Sequence, residues 1–165
     1  MNLSISAMLI GVSLFLPLNG YAQSQDQGAE PVIKQNTDDS AFAPAPIMPP
    51  CFRGALQRID QQTGGAVFLV KADLQGCVVP WHWHTSGEQI TVISGDVKVT
   101  MKGQASTILH AGGFAYMPPH HIHSFACDGP CIHFVQSDGP YDIHFIDPDG
   151  NEIPMQQALR GVQKK

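Results

Sequence analysis

From residue 51 onward the chain alternates short apolar runs with turn formers, at intervals of roughly ten residues. The runs are Phe52–Ile59, Ala66–Ala72, Cys77–His84, Gln89–Ser94, Val97–Met101, Ser106–Leu109, Phe114–Met117, His121–Cys127, Ile132–Gln136 and Tyr141–Ile146. Between them stand Thr63-Gly64-Gly65, Gly95-Asp96, Gly112-Gly113, Asp128-Gly129-Pro130 and Asp138-Gly139-Pro140. No i, i+3, i+4 periodicity is sustained through this region. Only Met155–Val162 predicts a turn or two of helix. The pattern predicts an all-β domain of about ten short strands, closed as a sandwich or barrel.

The residues before 51 have a different texture. Leu3–Leu18 is apolar, and Gly20-Tyr21-Ala22 places small residues where signal peptidase cuts. The segment predicts a signal peptide over 1–22, although Met1-Asn2 lacks the usual basic residue. Export to the periplasm or the medium follows, with no stable membrane span after processing. Residues 23–50 are rich in Gln and Pro and poor in core formers, which predicts a linker or arm. The alternative is an arm swapped onto a partner, burying Ile47 and Met48. The barrel then occupies 51–150, and 151–165 is a C-terminal tail.

At 165 residues the chain has room for one domain beyond these segments. Its net charge of −5 arises from 9 Lys+Arg against 14 Asp+Glu, and the basic residues do not cluster. Nucleic acid is therefore excluded as a partner. Export also sets the reading of Cys51, Cys77, Cys127 and Cys131, an even set that predicts two disulfides. Cys127 and Cys131 flank a tight turn and are the preferred pair, which leaves Cys51 with Cys77. A structural zinc is the alternative, but C-x2-C pairs are missing.

All 8 histidines fall between His82 and His144. His82 and His84, two apart in a strand, share a face. A turn through Thr85-Ser86-Gly87 lets Glu88 return to the same side. Two imidazoles and a carboxylate with coordination positions left open suit a non-haem-iron type of site. Further along, Gly112 to His123 carries His120, His121 and His123, one of which can supply a fourth ligand from another strand.

These residues resemble the two motifs of the cupin superfamily. The first, G-x5-H-x-H-x3–4-E-x6-G, is matched by Gly76, His82, His84, Glu88 and Gly95. The second, G-x5-P-x-G-x2-H-x3-N, is matched by Gly112, Pro118 and His123. His120 stands at its second Gly and Cys127 at its Asn; His tolerates positive φ better than most residues, and a disulfide at Cys127 can replace the Asn. The chain is similar to small secreted single-domain cupins, and also to the cupin half of zinc-dependent anti-sigma factors. The resemblance implies a double-stranded β-helix, or jelly-roll, barrel with His82, His84, Glu88 and His123 as metal ligands. His121 and His144 are expected beside those ligands, and Tyr116 and Gln89 as polar groups of the pocket. Trp81 and Trp83 fall on the opposite face, where the resemblance implies packing or a homodimer interface.

The implied cofactor is one divalent transition metal, with Fe or Mn favoured and Zn, Cu or Ni possible. The implied activity is a small-molecule oxygenase of the dioxygenase type. The alternatives are a non-catalytic metal- or ligand-binding or sensing cupin, and a Zn or Mn isomerase or lyase.

Overall fold

The computed structural model describes residues 32–74 and 76–162, with side chains as far as Arg160. The signal peptide expected over 1–22 lies outside the described residues. The described residues from Ile33 onward belong to one compact unit. After a short 3-10 turn at Thr37–Asp39 come eleven strands: β1 (Ala43–Pro44), β2 (Phe52–Ile59), β3 (Ala66–Ala72), β4 (Cys77–Trp83), β5 (Glu88–Ser94), β6 (Val97–Met101), β7 (Thr107–Leu109), β8 (Phe114–Met117), β9 (His123–Cys127), β10 (Cys131–Ser137) and β11 (His144–Phe145). A single helix, α1 (Met155–Val162), ends the described chain. Among the described residues no helix is long and apolar enough to cross a membrane.

The strands form two antiparallel sheets, ordered β1-β2-β3-β10-β5-β8 and β11-β4-β9-β6-β7. Consecutive strands repeatedly change sheet, as in a jelly roll. Residues facing inward from both sheets make one core, including Phe52, Val70, Val79, Ile90, Val92, Val97, Val99, Met117, Phe125 and Val135. In β5 the buried positions are Glu88, Ile90 and Val92, and in β10 Cys131, His133 and Val135, the alternation expected of strands with one solvated face.

β4 breaks that alternation. Cys77 and Val79 are buried, and so are His82 and His84, which have the opposite parity. The register with β9 shifts between Val79 and His82, so an irregularity at Pro80–Trp81 exchanges the two faces. Without it, the strand that buries Cys77 would carry His82 to solvent, because a one-residue slip reverses every side chain. Trp81 is left 38% exposed.

Disulfides join Cys51 to Cys77 and Cys127 to Cys131, as the sequence predicts. Each links a residue at one sheet to a residue at the other: Cys51 precedes β2 and Cys77 opens β4, while Cys127 closes β9 and Cys131 opens β10. Cys77 and Cys127 are also direct register partners, so both bridges lie at the same end of the barrel. Gly95 is required nearby. Its φ is +76°, and a Cβ there would stand 2.3 Å from the Pro130 carbonyl oxygen.

The described part of the Pro-rich segment packs on the barrel. β1 pairs with β2, Ala43 opposite Gly54 and Pro44 opposite Arg53. Pro49 is buried and Met48 packs against the barrel's own core, whereas Ile47 is 45% exposed. Fixed φ at successive prolines lowers the entropy lost in laying this segment down.

Candidate metal centre

Four buried polar side chains meet between the sheets. His82 lies near the end of β4, His84 just beyond it, Glu88 at the start of β5 and His123 at the start of β9. His82 and His123 are cross-strand partners. Relative exposure is 3% or less for all four, and one donor atom from each falls within 4.8 Å of the others. Burial of this much polarity is costly unless every group has a partner.

The backbone supplies partners on the outer side of each ring. His82 Nδ1 bonds the Pro80 carbonyl at 2.6 Å, and His123 Nδ1 the His121 carbonyl at 2.8 Å. His84 Nδ1 bonds the Asp142 carbonyl. A carbonyl can only accept, so each Nδ1 carries the hydrogen and each neutral ring keeps its lone pair on Nε2. Glu88 meets these rings with Oε2, which lies 3.1 Å from His123 Nε2 and 3.3 Å from His84 Nε2. His84 Nε2 is buried without a hydrogen bond. An unpartnered lone pair beside a carboxylate oxygen is an arrangement that a cation satisfies. The residues therefore fit a divalent metal.

Electrostatics agree with that reading. Burial would raise the Glu88 carboxyl, but His123 and His84 outweigh it and hold the group well below the usual carboxylate range. Burial and the neighbouring His123 and His84 hold His82 well below the usual imidazole range. At His84 burial acts downward, but the adjacent Glu88 more than compensates and the pKa is raised. The site thus keeps a carboxylate.

Tyr141 completes the surroundings and was not among the residues the sequence singled out. Its hydroxyl donates to Glu88 Oε1 at 3.1 Å, and its ring stacks on His84 with centroids 5.0 Å apart. Burial and the Glu88 charge raise its pKa well above that of an ordinary phenol, so it remains a donor. His133 is 1% exposed and packs between Phe52 and Phe125. Burial pushes its pKa down to about 4. A cavity of ≈ 20 Å³ lies against the cluster, lined by Met48, His82, Glu88, Phe125, His133 and Tyr141 among others. That is room for about one water-sized molecule.

The remaining candidates divide. His121 contributes its carbonyl to His123 rather than its ring, and its own Nδ1 is buried without a partner. His144 is one step further out. It stacks on Trp83 at 3.9 Å and pairs with Asp142 and Glu152, and Asp142 in turn holds His84. Tyr116 and Gln89 do not line the cavity at the metal cluster. They face each other across β8 and β5 on the outside of the barrel, where Gln89 bonds Asp138, because each is adjacent in its strand to an inward residue, Met117 or Glu88. His120 sits at φ 60°, the conformation its place in the second motif demands, and its N–H bonds the His84 carbonyl.

The family model described as a cupin domain matches residues 68–135, which span β3 to β10 and contain all four ligand candidates. Those residues are a cupin domain. No curated protein matches its sequence. Among solved structures, this cupin is similar to an RmlC-like cupin from Ralstonia eutropha JMP134, with 20% identity and a TM-score of 0.58 over 79% of this chain and 86% of that one. It is also similar to an acetylacetone dioxygenase from Acinetobacter johnsonii, with 15% identity and a TM-score of 0.61 over 81% and 93%. An RmlC-like cupin from Shewanella frigidimarina shares 17% identity, with a TM-score of 0.54 over 64% and 89%. At such identities the likeness is one of fold.

Proposed function

We propose that this cupin binds one divalent transition metal through His82, His84, Glu88 and His123 and acts as a small-molecule oxygenase outside the cytoplasm. The observation that carries the reading is the common aim of the cluster: three Nε2 atoms and one carboxylate oxygen converge, each oriented by a partner behind it. Bound there, the metal supplies Lewis-acid chemistry and, for iron, redox chemistry at an oxygen-donor substrate. Glu88 contributes the negative charge, and the Tyr141 hydroxyl holds its second oxygen. Met48, Phe125 and Val135 exclude bulk water from the adjoining cavity. The structural likeness to an acetylacetone dioxygenase supports a diketone, enol or catechol as the substrate class. Two disulfides fit an oxidising compartment and so support export.

A second reading is a non-catalytic binding or sensing cupin. The ≈ 20 Å³ cavity favours it, because on that side the site has no room for an organic molecule. Oxygen uptake separates the two. Protein reconstituted with Fe(II) is offered acetylacetone, an enol and a catechol in an oxygen electrode. The oxygenase reading expects consumption that is lost in His84→Ala; metal-loaded protein that consumes no oxygen with any of them is a binder.

A further inference from the structure

Beyond the cavity that His133 shares with the first centre, Cys127, Cys131 and His133 form a second cluster of potential ligands. All three are buried, and one donor atom from each lies within 4.8 Å of the others. His133 Nδ1 is 3.7 Å from Cys131 Sγ. A tetrahedral zinc with bonds of about 2.3 Å to sulfur and about 2.0–2.1 Å to nitrogen separates those two atoms by about 3.6 Å. The imidazole therefore already stands at the spacing that a shared ion requires. The disulfide between Cys127 and Cys131 stands in the way.

We propose that Cys127, Cys131 and His133 are a second metal site, closed by the disulfide and opened by its reduction, which takes a thiophilic cation of the zinc class. A dithiol supplies the two electrons and two protons. The Cys127–Cys131 S–S bond breaks, two S–H bonds form, and the dithiol is oxidised to its own disulfide. The cation then displaces the two thiol protons to solvent and binds two thiolates and one neutral imidazole, the softer donor set that such ions prefer.

Local structure permits the change. The sulfurs must part to about 3.8 Å across a tetrahedral ion. Only the turn Asp128-Gly129-Pro130 joins the two cysteines, and Asp128 and Pro130 are exposed. His133 is unprotonated at neutral pH and packs against Phe52 of β2 and Phe125 of β9 in the facing sheet. The Cys51–Cys77 bridge is close by but joins no such cluster among the described residues.

The test uses Co²⁺ as the probe, because a thiolate ligand produces a near-ultraviolet charge-transfer band that the nitrogen and oxygen ligands of the first centre do not. Full-length protein is reduced with dithiothreitol, freed of reductant without air and titrated. The band is expected only after reduction, saturating at about one equivalent of thiolate-bound cobalt and displaced by Zn²⁺. His133→Ala should raise the half-saturating concentration at least roughly tenfold, since even the loss of an outer partner costs that much. The double variant Cys127→Ser/Cys131→Ser should lose the band, and Cys51→Ser/Cys77→Ser should keep it. No band in reduced protein, unfolding on reduction, a titration unchanged by His133→Ala, or a band that follows Cys51 and Cys77 overturns the proposal. Should either double variant fail to fold, the His133→Ala titration decides alone.

Discussion

The Tyr141 hydroxyl donates to Glu88 Oε1 at 3.1 Å, while Glu88 Oε2 faces His84 and His123. One oxygen of the carboxylate is thereby occupied, and the other is left for a cation. A carboxylate free to rotate would present either oxygen, or both, and lose that definition.

Tyr141→Phe removes only this hydrogen bond, and the ring keeps its packing against Phe68 and His84. We predict a loss of metal affinity of about 10–100-fold, the range seen when partners behind metal ligands are deleted. Competition with a chelator of known affinity measures it, with circular dichroism confirming the fold. Affinity equal to that of the wild type would show that Glu88 is oriented by other means.

His133 gives stability a defined dependence on pH. Its pKa is about 4 in the folded chain, against 6.5 for an ordinary imidazole. Below 6.5 the unfolded state therefore takes up a proton that the folded state refuses, and stability falls as pH falls toward 4. From pH 7 to pH 5 this single group costs about 2 kcal/mol. Urea unfolding of wild type and His133→Leu at both pH values measures the difference, and the variant should lose about that much less.

Removing the Cys51–Cys77 bridge, which closes 26 residues, should cost about 3.5 kcal/mol in a chain-entropy account. Cys51→Ala/Cys77→Ala compared with wild type by urea denaturation is the check. A cost below about 1 kcal/mol would mean that the arm and β2 hold the sheets together without it.

Met48→Ala should widen the cavity against the metal cluster at a cost of about 2 kcal/mol, the low end for such truncations because Met48 is only half-buried. Its consequence for ligands is the informative part. If the arm limits access to the cavity, the variant should bind bulkier diketones than the wild type, read from perturbation of the spectrum of the cobalt-loaded protein.

Much of this was legible in the sequence, for identifiable reasons. Alternation sets strand limits directly, and β2, β3, β6 and β8 have the bounds that their apolar runs predict. His82, His84 and Glu88 are close along the chain, and His123 is placed by the second motif. Both disulfide pairings followed from one tight turn and its remainder. What escaped was every relationship carried by a departure from regular structure. The run Tyr141–Ile146 forms a strand only at His144–Phe145, and it is the freed residues Tyr141 and Asp142 that reach Glu88 and His84. The face exchange in β4 cannot be read from a sequence whose parity looks continuous. Gln89 and Tyr116 were placed by proximity in the motif, where alternation alone, taken from Glu88, puts Gln89 outside.

The most direct test of the metal centre is the elemental content of natively purified protein, measured by mass spectrometry beside His84→Ala. The account predicts about one divalent transition metal per chain, lost in a variant that keeps its far-ultraviolet spectrum. Wild-type protein that takes up no Fe, Mn or Zn, or a His84→Ala variant that retains its full metal content, would contradict it.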